Sequence, residues 1–278
     1  MKALLAMALA LGALALSAQG SQPAPGPGAP RAIVWAVGDG ADGSARARRL
    51  DRLMAAGDPD RFLYLGDVYE TGSATDFERN YARVYEALAE ITAPTPGNHE
   101  WPSRYEGYYP YWRAVKSRRQ RPWYRFRLAG WEILALNSEA AHGAGSRQLR
   151  WLRRRLRGAE GDCRLAFWHR PRWSAGVYGD DESLAPLWNA LRGSARVVLS
   201  GHDHNMQRFR HRDGIVQLVA GTGGRELYPL RADSRLRFGE DSRYGALRLE
   251  LRPGEAELEF RRIDGRRLDS SSVECERG

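Results

Sequence analysis

The sequence predicts an α/β sandwich built on mixed β-sheets, and three observations carry that prediction. Short apolar runs alternate with amphipathic segments from Arg31 onward. Several of those runs are apolar throughout, as strands buried on both faces are. Near the C-terminus the pattern changes to strict alternation: Leu247, Leu249 and Leu251, a Pro253-Gly254 turn, then Ala256, Leu258 and Phe260. That is an antiparallel hairpin with one wet face. Helix-separated strands first and a hairpin last call for mixed sheets. Composition agrees: of 278 residues 42% are hydrophobic and 28% charged, with 30 Gly, 14 Pro and 2 Cys. Collagen-like, wholly disordered and disulfide-framework classes are excluded.

Three regions are expected. Residues 1–20 read as a signal peptide: Met1-Lys2, an apolar run from Ala3 to Leu16, then Ser17, Ala18 and Gly20. The run is short for a membrane span. Residues 21–30 (SQPAPGPGAP) read as a Pro/Gly-rich tether. Residues 31–278 form one domain, expected to be secreted or periplasmic, with no stable membrane insertion after signal cleavage. Strands are predicted at Ala32–Val37, Phe62–Leu65, Tyr124–Leu128, Glu132–Leu136, Arg164–Trp168, Ala195–Leu199 and Ile215–Val219. A helix is expected over Ser44–Ala56. A second starts at a Thr75/Glu78 capping box and buries Phe77, Tyr81, Val84, Tyr85 and Leu88 on one face, to about Ile91. Leu149, Leu152 and Leu156 mark a third helix, and Leu184, Leu187, Trp188 and Leu191 a fourth. Two cysteines in an exported chain favour a Cys163–Cys275 bond.

Five short motifs carry chemistry. Ile33–Val37 runs into Gly38-Asp39-Gly40, Phe62–Leu65 into Gly66-Asp67, and Ala93–Pro96 into Gly97-Asn98-His99-Glu100. Leu165–Trp168 runs into His169, and Val197–Ser200 into Gly201-His202-Asp203-His204. Each places a metal-type side chain just past an apolar or extended segment, at the edge where open α/β sheets collect ligands. Two carboxylates, an amide and several imidazoles suit Fe, Mn or Zn and not a thiolate site. Two such ions about 3.5–4 Å apart clamp a phosphate and activate a bridging water.

From Arg31 to Phe260 the motif set resembles the calcineurin-like metallophosphoesterase superfamily. Ala41 stands two places after Asp39 where most branches carry a histidine, so the chain is similar to the purple acid phosphatase branch. The resemblance implies a four-layer α/β/β/α sandwich of two mixed β-sheets flanked by helices. It implies that Asp39 and His204 hold the first metal, that Asp67 bridges, and that Asn98, His169 and His202 complete the second. His99 then faces the leaving group as general acid. The branch places a tyrosine ligand three residues after the bridging aspartate; here that place is Glu70, and Tyr69 stands at the second. In an extended segment a shift of one residue turns the side chain away. Solvent in place of a phenolate, and a colourless site, are therefore expected.

The function implied is a phosphomonoesterase on small-molecule substrates, acting as a monomer. The alternatives are a phosphodiesterase on nucleotides or phospholipid headgroups and, in another class, a non-catalytic basic protein binding polyanions. Net charge is +9, and all but two of the 43 basic residues are arginine. The Arg153–Arg155 cluster lies on the polar face of a leucine-striped helix, which reads as a solvated surface; no specific nucleic-acid partner is expected. His142 and His211 read as loop residues. Trp173, Tyr178 and Tyr108-Tyr109 either wall a pocket or pack in the core, the commoner fate. Gly221–Gly224 either approaches a phosphate or simply turns the chain.

Overall fold

The computed structural model describes residues 30–157 and 163–275. The expected signal peptide and nearly all of the tether lie outside the described residues. The chain forms two mixed sheets packed face to face. The six-stranded sheet has the order β13-β12-β11-β1-β2-β3 and the seven-stranded sheet β10-β8-β9-β7-β6-β5-β4. In the first, β1 (Ala32–Val37), β2 (Arg61–Tyr64) and β3 (Thr92–Pro94) are parallel. The antiparallel meander β11 (Gly245–Arg252), β12 (Glu255–Arg262) and β13 (Arg267–Glu274) extends them. In the second, β5 (Trp131–Ala135), β6 (Arg164–Phe167), β7 (Val197–Ser200) and β9 (Val216–Ala220) are parallel. β4 (Tyr124–Leu128), β8 (Met206–Phe209) and β10 (Leu236–Glu240) are antiparallel to their neighbours.

Strand periodicity explains the layers. Along β1, Val34 and Ala36 face the apolar layer between the sheets, whereas Ile33, Trp35 and Val37 face the helices. Every residue of β1 is therefore buried, which is why its sequence is apolar throughout. The outer face of the six-stranded sheet is covered by α1 (Ala45–Ala56), by a helical run over 74–91 and by α4 (Tyr108–Lys116). That run joins α2 (Ala74–Asp76), a π-helical stretch (Phe77–Ala82), α3 (Arg83–Tyr85) and a 3₁₀ stretch (Glu86–Ile91). The outer face of the seven-stranded sheet is covered by α5 (Arg147–Leu156) and α6 (Ala185–Leu191). The predicted four layers are all present.

Two details differ from expectation. The capping box is formed by Ser73 and Asp76, not by Thr75 and Glu78. Asp76 wins because its carboxylate collects the Thr71 N–H, the Thr71 hydroxyl and the Ser73 N–H at 2.9–3.2 Å. Helix α4 was not expected; Tyr108 inside it is core, 1% exposed, the commoner fate for such a residue. Cys163 and Cys275 are joined, with their Cα atoms 5.3 Å apart.

Candidate metal centre

The parallel strands deliver the motif residues to one edge. Asp39 follows β1, Asp67 follows β2, Asn98 follows β3, His169 follows β6, and His202 and His204 follow β7. The turns are tight: Asp39, Asp67 and His202 have φ of 60°, 68° and 70°, the left-handed region that non-glycine residues rarely occupy. Gly66, at φ 100°, leaves no alternative, since a Cβ there would lie 2.7 Å from the Gly97 nitrogen and from His169 Nδ1. Side chains and backbone interlock. The His202 N–H donates to Asp39 Oδ2 at 2.9 Å, and the His99 N–H to Asp67 Oδ1 at 3.1 Å.

The donors fall into two groups that share one residue. In the first, Tyr69 Oη lies 3.0 Å from His204 Nε2, 3.3 Å from Asp39 Oδ1 and 3.4 Å from Asp67 Oδ2. In the second, His169 Nε2 lies 3.1 Å from Asn98 Oδ1, 3.2 Å from His202 Nδ1 and 3.3 Å from Asp67 Oδ1. Asp67 presents one oxygen to each group. All the residues expected at the centre are therefore together.

Hydrogen bonding behind the rings sets which nitrogen faces inward. His169 Nδ1 is 2.8 Å from the Leu65 carbonyl and His204 Nδ1 2.7 Å from the Glu226 carbonyl. Both Nδ1–H groups are thereby used outward, leaving Nε2 lone pairs for the centre. The second group brings Asp67 Oδ1, Asn98 Oδ1, His169 Nε2 and His202 Nδ1 together; Arg170 donates to His202 Nε2 at 3.0 Å, so without a cation the His202 proton lies on Nδ1, toward His169 Nε2. One carboxylate, one amide oxygen and two imidazole nitrogens converging within 3.3 Å of His169 Nε2 make a donor set that fits a transition-metal cation. Without a cation the charge is balanced by a proton. Burial opposes a charged His169, but the adjacent Asp67 outweighs it and holds the imidazole up at about 10. Burial, then the His169 and Arg170 charges, pushes His202 down to about 2. Behind Asp67, the buried Glu100 accepts from the Asp67 and Val68 N–H groups. Burial and the Asp67 charge push its carboxyl up to about 8.

Tyr69 corrects the register argument. Its side chain points into the first group because Gly66 and Asp67 are both left-handed, so the chain from 66 to 69 is not extended and alternation does not apply. His99 sits at the rim, with Nδ1 2.5 Å from the Glu70 carbonyl and Nε2 3.8 Å from Asp67 Oδ2. The cleft above the centre is about 100 Å³. Its walls include two tyrosines that stack on histidines: Tyr178 on His202 at 4.2 Å and Tyr228 on His204 at 4.1 Å. Tyr178 is 56% exposed, so it is wall and not core. Arg225, over the Tyr69 ring and paired with Glu70, lines the same cleft. Arg225 and Tyr228 follow the Gly221–Gly224 turn and carry no periodic signal; only their nearness in sequence to that turn could have flagged them. Gly223 donates to the Gly38 carbonyl, so the turn packs beneath Asp39. His142 binds the Ala140 carbonyl and Ser183, away from the centre. Trp173 and His211 line a separate cavity.

The sequence model of the calcineurin-like phosphoesterase family matches residues 34–206. Tartrate-resistant acid phosphatase type 5 of Mus musculus is 29% identical over 141 residues, which is 47% of this chain and 43% of that protein. The Homo sapiens protein of the same name is 33% identical over 78 residues, 27% of this chain and 24% of that protein. The matches therefore span less than half the length of these curated relatives. Among solved structures, purple acid phosphatase PPD1 from yellow lupin superposes with a TM-score of 0.71 at 18% identity, covering 88% of this chain and 54% of that one. GAP50, the anchor in the inner membrane complex of Plasmodium, superposes with a TM-score of 0.73 at 14% identity over 89% and 90%. At those identities the likeness is one of fold.

Proposed function

The chain belongs to the calcineurin-like phosphoesterase family, and from that premise we propose that it is an exported hydrolase of phosphomonoesters working with two transition-metal ions. The observation that carries the reading is Asp67, with one oxygen in each donor group. Asp39, Tyr69 and His204 would hold one ion, Asn98, His169 and His202 the other, and Asp67, with an oxygen in each group, would serve both. When bound, the two ions supply Lewis acidity to the phosphoryl oxygens and lower the pKa of a water.

The chain's own residues do the rest. His99 is the proton donor to the leaving oxygen. Its Nδ1 is engaged by the Glu70 carbonyl, which leaves Nε2 on the cleft side. Tyr178 and Tyr228 brace His202 and His204 and flank the space for a leaving group. A cleft of about 100 Å³ has room for a phosphoryl group, and the monoester preference is taken from the likeness to tartrate-resistant acid phosphatase type 5. Export is supported by the N-terminal pattern and by the Cys163–Cys275 bond.

The test is chelator-sensitive release of p-nitrophenol from its mono- and bis-phosphate esters. The monoester is expected to turn over faster. His99→Gln is expected to lower kcat by about 10²–10⁴-fold with metals retained, and by less for p-nitrophenyl than for alkyl phosphates, which need the proton more. Faster turnover of the diester contradicts the substrate class. No turnover, with salt-steep polyanion binding, contradicts catalysis altogether.

A further inference from the structure

A second cavity, about 380 Å³, opens on the seven-stranded sheet and shares no lining residue with the catalytic cleft. Strand β8 separates them: His204 precedes it and Phe209 ends it. Its walls are aromatic and cationic: Trp173, Trp188 and Phe209 face Arg210, Arg212 and Arg235. Trp173 and Trp188 meet edge to face with centroids 5.9 Å apart. The Trp173 ring lies under three guanidinium groups, Arg172 at 3.7 Å, Arg212 at 4.1 Å and Arg235 at 5.5 Å.

The cations are unequally matched. Glu182 pairs with Arg172, and Asp180 and Asp233 with Arg235. Arg210 and Arg212 have no carboxylate partner among the described residues. His211 between them is held below its ordinary range by burial and by Arg208 and Arg196, a sign of a positive local field. The Trp173 Nε1–H is buried without an acceptor among the described residues. The cavity is also preformed. Gln217, 1% exposed, spends both ends of its amide on the Trp173 backbone, accepting its N–H at 3.0 Å and donating to its carbonyl.

We propose that this cavity is a binding site for a small aromatic anion, one or two fused rings carrying a carboxylate, sulfonate or phosphate. The ring lies against the tryptophan wall and the anionic group meets Arg210 and Arg212. Volume and lining match an ordinary small-molecule site, and the excess cations select the charge. The site is independent of the metal centre, so its test does not depend on the hydrolase reading.

The experiment is calorimetric titration of the metal-loaded full chain with 2-naphthalenesulfonate, 2-naphthol and inorganic sulfate at matched ionic strength. The sulfonate is expected to bind one site. 2-Naphthol is expected to bind about tenfold more weakly and sulfate not to compete, and the double variant Arg210→Ser/Arg212→Ser to weaken the sulfonate about tenfold, the scale of two partly exposed charge contacts. Turnover of p-nitrophenyl phosphate by that variant stays at the parent level. No saturable sulfonate binding, equal binding of 2-naphthol, full competition by sulfate, or unchanged affinity in the double variant each overturns the proposal.

Discussion

Three residues at the centre, Asp39, Asp67 and His202, hold left-handed backbones. Such conformations cost free energy and persist where the surroundings over-determine them. Here each positions a side chain that an ordinary strand end would aim elsewhere. The same backbone brings Tyr69 in, and this has an optical consequence. Without a cation, burial and the Asp39 and Asp67 charges push its phenol well above its ordinary range, so it stays neutral. A trivalent ion inverts that balance, as bound cations do for their ligands. Iron-loaded protein is therefore expected to show a visible phenolate-to-metal band. Tyr69→Phe removes the band while both ions stay. A colourless iron-loaded parent, or a band that survives Tyr69→Phe, contradicts the placement of Tyr69.

At the scale of elements, α1 shows how helix geometry can bury a charge. Its inward stripe is Ala47, Leu50, Asp51 and Met54, helical spacing with a carboxylate in the middle. Asp51 is 9% exposed, and its Oδ1 has no hydrogen-bond partner among the described residues. Burial, opposed weakly by Arg52, pushes its pKa up to about 6. A carboxyl whose folded value lies above its unfolded value favours folding only when protonated. That contribution is present below the ordinary value of 3.8 and is lost as pH rises through about 6. Asp51→Asn is expected to flatten this part of the stability profile. At pH 7 it should add about 1 kcal/mol, discounted for solvent around part of the group, or about 2–4 °C in Tm. A lower Tm at pH 7 contradicts the account.

The same element scale shows what the sequence made legible. β1, β5, β6, β7 and β9 were readable because burial on both faces leaves an apolar run. Gly-Asp alone is an ordinary turn; the site was readable because Gly-Asn-His-Glu, Gly-His-x-His and the other motifs follow apolar or extended runs in one order. β10 and β13 were not, since β10 offers only Leu236 and Phe238 as apolar positions and β13 buries only Val273, whereas the edge strand β4 alternates three, Tyr124, Phe126 and Leu128. β3 is three residues long. Tyr228 was missed because the segment from 221 to 235 is held by single backbone hydrogen bonds, such as Tyr228 N–H to the His204 carbonyl, and has no period.

Across the whole molecule, the two sheets meet at the metal centre at one edge and are stitched near another. Cys163 leads into β6 of the seven-stranded sheet and Cys275 follows β13 of the six-stranded sheet. Their bond closes a sequence separation of 112 residues. A loop of that size corresponds to about 4–5 kcal/mol on the loop-entropy account. Cys163→Ser/Cys275→Ser is expected to lower Tm by about 10 °C while metal content stays unchanged, since neither cysteine touches the centre. An unchanged Tm contradicts the stitching role.

The joining of two donor groups by one carboxylate is the central claim, and metal content tests it most directly. Elemental analysis of purified parent is expected to give about two transition-metal ions per chain. Asp67→Ala is expected to lose both, because its two oxygens serve both groups, whereas Asp39→Ala weakens only the first. An Asp67→Ala protein that keeps two ions per chain, or a parent that binds one ion at saturation, contradicts the account.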